Sequence, residues 1–131
     1  MDIKSICDSI TRLYLYAVST KFIHYSCFPS HLHELCDTAK ETIEEFTDKL
    51  AESYFGYEGK PKFSNFSIGL EINTEDDLRD LCDRCIGIVE PIRKECEKNE
   101  KLSGIVSLID DFLSELGKIK FLCTFDKLSS K

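Results

Sequence analysis

The chain has 131 residues, with 24 acidic against 17 basic side chains and a formal net charge of −7. That balance, with no basic arm at either end, opposes binding driven by phosphate contacts, so DNA is not expected as a partner. No run approaches the ~20 apolar residues of a membrane span. The first residues lack the basic-then-apolar pattern of a secretion signal, and the expected setting is the cytoplasm without membrane contact. The seven cysteines, an odd number, fit reduced and packed thiols better than a disulfide framework.

Helical periodicity marks four segments in one domain spanning residues 1–131. The first runs from about Asp2 to Tyr25, with Ile3, Ile6, Cys7, Ile10, Leu13, Tyr14 and Ala17 as its apolar seam. The second starts near Pro29, a residue suited to a first turn, and reaches about Phe55 on Leu32, Leu35, Ala39, Ile43, Phe46, Leu50 and Tyr54. The third opens with Thr74 as N-cap and Asp77 three residues on, and carries Leu78, Leu81, Cys82, Cys85, Val89, Ile92 and Cys96, with a kink expected at Pro91. The fourth, from about Ser103 to Cys123, uses Val106, Ile109, Phe112, Leu113, Leu116 and Ile119. Four amphipathic helices of similar length predict an all-α four-helix bundle.

Short links join the first helix to the second and the third to the fourth, which makes each pair antiparallel neighbours. The second and third are separated by GYEGKPKFSNFSIGLEIN, 18 residues rich in Gly, Pro, Ser and Asn. Extended, these span roughly 60 Å, more than the roughly 40 Å of a helix of this length. The link is therefore long enough for the crossover of a ferritin-like bundle.

The second helix also carries His33 and Asp37, then Asp48 and Glu52, each pair four residues apart. At about 100° per residue these four stand near 0°, 40°, 60° and 100°, one stripe roughly opposite the apolar seam near 250°. His24 lies just upstream, at the end of the first helix. Imidazole with carboxylates is the usual donor set for iron or manganese, and also for zinc. Asp37 and Asp48 are eleven residues apart, about 16 Å along the axis at 1.5 Å per residue. One helix therefore cannot close both halves around one ion, given metal–oxygen bonds of roughly 2 Å. A second copy packed antiparallel about an axis near Thr42 and Ile43 can, and a two-fold operation makes two equivalent sites. The competing reading is a solvated acidic face, to which Glu34, Glu41, Glu44 and Glu45 belong. His31, two residues from His33, points elsewhere.

Over HYSCFPSHLHELCDTAKETIEEFTDKLAE the chain resembles the ferroxidase segment of the Dps family, the miniferritins. That family shows a His at the end of its first helix, then His-x-x-x-Asp and, after ten residues, Asp-x-x-x-Glu. The positions here are His24, His33, Asp37, Asp48 and Glu52. The resemblance implies iron held between two-fold-related subunits, the first three ligands from one chain and the last two from the other. It further implies Fe(II) oxidation by peroxide or oxygen, with mineral stored in a twelve-subunit cage. The small ferritin-like proteins of phages and other viruses are closer still, sharing a shortened first link and an AE-x-x-x-G-x-x-G run, here Ala51, Glu52, Gly56 and Gly59. In departures from the Dps pattern, His24 and His33 are only nine residues apart and Tyr25 stands where a Trp usually follows the His. The basic extensions linked to DNA binding are missing.

Other motifs carry less. Cys82-x-x-Cys85 lies on an apolar seam without a second pair and reads as packed thiols. The Glu-x-x-His of an intra-bundle di-iron site is absent. The sequence thus predicts an iron-binding, iron-oxidising homo-oligomer, a dimer at least, with zinc or manganese as other metals the donors accommodate. The alternative is a non-catalytic homodimeric helical-bundle interaction protein, metal-stabilised.

Overall fold

The computed structural model describes residues 2–26, 30–61, 63 and 76–129. Among them are four α-helices, α1 (Ile3–Ser26), α2 (Ser30–Glu58), α3 (Asp76–Cys96) and α4 (Ser103–Ser129), with a 3₁₀ turn at Glu100–Leu102 and no strand. The expected helix start at Pro29 and the N-cap at Thr74 lie outside the described residues. α3 continues without interruption through Pro91. α2 stops at Gly59, whose φ of 106° is in the left-handed region and whose N–H donates to the Phe55 carbonyl at 2.9 Å. This closes the last turn with the one residue type that adopts such a φ without steric cost.

The apolar seams meet in one core. All seven seam positions named for α2 are buried, as are all seven named for α3. Phe46 of α2 stacks face to face on Phe112 of α4, ring centres 3.9 Å apart. In α4 the buried row is Ile105, Ile109, Phe112, Leu116, Ile119 and Cys123, while Val106 and Leu113 are only partly covered. The one clear departure is in α1. Tyr16, not Tyr14, enters the core, and Tyr14 stays 38 % exposed. The buried line Ile6–Ile10–Leu13–Ala17–Thr20 leaves Tyr14 about 80° from its centre, on the flank towards the outer face of α2. The buried hydroxyls Thr20 and Thr47 donate to the Ala17 and Ile43 carbonyls, both at 2.6 Å, so burial leaves neither group unsatisfied.

Helices α1 and α2 pack together, as do α3 and α4, α2 and α4, and α1 and α3. Side-chain contacts fix their directions. At one end Asn99, just after α3, donates Nδ2–H to the Tyr57 hydroxyl near the end of α2 at 2.7 Å. At the other, His31 at the start of α2 donates Nε2–H to the Leu122 carbonyl near the end of α4 at 3.1 Å. Helices α2 and α3 therefore finish at the same end of the bundle. Most of the link between them lies outside the described residues. No described helix is long and apolar enough to cross a membrane.

Candidate metal centre

Because α1 and α2 are antiparallel and only three residues separate them, residues at similar distances from that link stand at nearly the same height. His24 meets His33, and Lys21 meets Asp37. The His24 and His33 ring centres are 3.5 Å apart with planes tilted by 34°, and Tyr25 sets its ring edge-on to His24. Nδ1 of His24 lies 2.9 Å from the His33 carbonyl oxygen, and Nδ1 of His33 lies 2.9 Å from the His24 carbonyl oxygen. A carbonyl can only accept, so each Nδ1 carries the hydrogen. In the neutral rings the lone pair then sits on Nε2. Donation of one ring nitrogen to a backbone carbonyl is the support that metal-binding imidazoles ordinarily have.

Asp37 completes the cluster. Its Oδ1 is 3.3 Å from His24 Nδ1 and accepts from Lys21 Nζ at 3.0 Å. The hydrogen bond from Lys21, more than the charges of His24 and Lys21, holds the Asp37 carboxyl below its ordinary range. The same bond raises the Lys21 ammonium above its ordinary range. Both groups are substantially solvated, Lys21 at 39 % and Asp37 at 50 % exposure, so water screens the pair.

Asp48 and Glu52 stand on the outer face of α2, both exposed. Tyr14 lies beside them. Partial burial first, then the negative charges of Asp48, Glu44 and Glu52, push its phenol up from the ordinary value. Thr42 and Ile43 mark the mid-height of the stripe but do not lie on its face. Ile43 is in the core, and Thr42 lines a groove of about 230 Å³ with Phe46, Leu108 and Phe112. Lys40 and Glu44 form an ion pair at this height on the outward side.

Of the five residues singled out by spacing, the structure brings together His24, His33 and Asp37 and leaves Asp48 and Glu52 apart. Among the described residues, no three His, Cys, Asp or Glu side chains of one chain are placed to hold a metal ion. Two features were missed from sequence. Lys21 follows from the hairpin, since it lies at a similar distance from the link to that of Asp37. The other is an outward apolar row on α1, Tyr14, Val18, Phe22 and Tyr25, exposed by 38, 51, 55 and 75 %. Its i, i+4, i+8, i+11 spacing is a second helical stripe beside the core seam. Cys82 and Cys85 are fully buried core thiols.

No protein-family model matches the chain, and neither does any curated protein or solved structure.

Proposed function

We propose that the chain is a miniferritin-like iron protein that takes Fe(II) as substrate at sites shared between two copies and oxidises it with peroxide or oxygen, so that iron is stored or made harmless. One observation carries this reading: both imidazoles of the cluster commit Nδ1 to a backbone carbonyl, which leaves both Nε2 atoms as donors, with the Asp37 carboxylate 3.3 Å from the Nδ1 of His24. His24, His33 and Asp37 would hold the ion from one copy, and Asp48 and Glu52 would complete the set from the other. The residues fit such a cation by their chemistry, two neutral nitrogens and three carboxylates.

Further features support it. The spacing of the two half-sets requires a second copy, and α1 presents an uncovered apolar row along that side. Helices α2 and α3 finish at the same end of the bundle, which suits a ferritin-like crossover by the 18-residue link. The exposed apolar row also favours a second reading, a homodimer whose role is interaction, with metal lending only stability.

Anaerobic mixing with Fe(II) and hydrogen peroxide, followed by ferric absorbance, tests the enzymatic reading. Oxidation well above buffer in the wild type, and much less in Asp48→Ala, is the expected result. Rates equal to buffer would leave the interaction reading. Metal binding that survived both His33→Ala and Glu52→Ala would place any metal elsewhere.

A further inference from the structure

The carboxylate that a metal ion would need is already serving a cation of the protein's own. Lys21 reaches from α1 to Asp37 on α2 with Nζ 3.0 Å from Oδ1, and the same oxygen lies 3.3 Å from His24 Nδ1. A divalent ion that is to take Asp37 as a ligand therefore meets a carboxylate that is already neutralised. It also brings two positive charges up to an ammonium, and at separations of a few ångströms that repulsion survives even in water.

We infer that Lys21 is a resident counter-cation of the half-site, one that must leave Asp37 for a divalent metal ion to take its place. The inference rests on the metal-binding reading and adds its regulation. Lys21 sets the free-metal concentration at which the site fills, so the protein ignores scarce metal and responds to excess.

The side chain is built for such an exchange. The ammonium is a point charge on a flexible four-carbon stem, and at 39 % exposure it swings into water without opening the core. A second lysine of this hairpin, Lys40, is paired with Glu44 on its own helix, so it supplies a control of identical charge. An exposed ion pair contributes about two- to five-fold to an equilibrium constant, and relief of repulsion towards a dication adds a similar factor.

The test is anaerobic titration with Mn(II), a metal that is not itself oxidised under these conditions, read by calorimetry at one fixed pH. Lys21→Gln and Lys21→Met should each bind about three- to ten-fold more tightly than wild type, and Lys21→Arg should stay within about two-fold. Lys40→Met, which changes net charge equally, should change affinity by less than about two-fold. Equal or weaker binding in both neutral Lys21 variants, or an equal gain in Lys40→Met, overturns the inference while leaving the site in place. Absence of binding in the wild type and in both neutral variants overturns the proposed function, and the inference with it.

Discussion

His24 and His33 each donate Nδ1–H to the other residue's backbone carbonyl at 2.9 Å, so the end of α1 and the start of α2 are pinned by the same rings whose Nε2 atoms keep a lone pair. On the proposed function, structural and metal-binding roles would therefore sit on different nitrogens of one side chain.

That division is separable by substitution. The amide nitrogen of Asn occupies nearly the place of Nδ1, but Asn has nothing at the place of Nε2. His33→Asn should therefore keep the hydrogen bond to the His24 carbonyl and stay within about 0.5 kcal/mol of wild type in urea unfolding. His33→Ala loses that bond and should cost about 1 kcal/mol. Both should lose most of the affinity for Mn(II) or Fe(II). Wild-type affinity in His33→Asn would show that Nε2 is not a ligand.

The outward row on α1 leads to an assembly prediction. Val18 and Phe22 are exposed by 51 and 55 %, and neither supports the core. Val18→Glu combined with Phe22→Glu should leave unfolding midpoints nearly unchanged and convert the native species to a monomer, measured by native mass spectrometry and light scattering. On the proposed function, iron oxidation should fall with the dimer, because each copy would supply half of each site. A wild-type protein that is monomeric at micromolar concentration would defeat every shared site.

What the sequence revealed, and what it hid, divides along a physical line. The seams of α2 and α3 were legible because a buried stripe is a property of one helix, written at a spacing of three and four. The ends of α2 were less so. The expected stop near Phe55 came one turn early, because the left-handed Gly59, not the last apolar residue, ends the helix. Tyr14 was misplaced because its position on the flank of the seam makes burial depend on what packs beside α1, which periodicity does not report. The stripe His33, Asp37, Asp48 and Glu52 was visible as a pattern, but Lys21 belongs to another helix and joins it only once the hairpin is closed.

Core energetics give a check on the packing of α2 against α4. Phe112 is 3 % exposed and stacks on Phe46 at 3.9 Å. Phe112→Ala should cost about 3–5 kcal/mol, and Phe112→Leu, which keeps most of the volume, less than about 1.5 kcal/mol. Urea midpoints at constant slope measure both. An Ala variant as stable as wild type would mean that these rings are not in the core together.

The buried thiols make stability depend on alkaline pH in a predictable direction. Burial pushes Cys85 up from 9.0 to about 12 and Cys82 higher still. The folded protein therefore holds both as neutral thiols where the unfolded chain releases their protons. With folded values above the unfolded ones, their contribution is fully present below about pH 9 and is lost as pH rises beyond it. The loss approaches about 1.4 kcal/mol per pH unit for each thiol once the unfolded form ionises. Unfolding free energies of wild type and of Cys82→Ala combined with Cys85→Ala should be compared between about pH 8 and pH 10.5. The variant starts lower, having lost packing, but should fall less steeply. Tyr14 and Tyr54, whose phenols are also raised, contribute equally to both proteins and cancel in the difference of slopes. Parallel curves would show that Cys82 and Cys85 ionise alike in the folded and unfolded chains, and that the α3 seam is open to water.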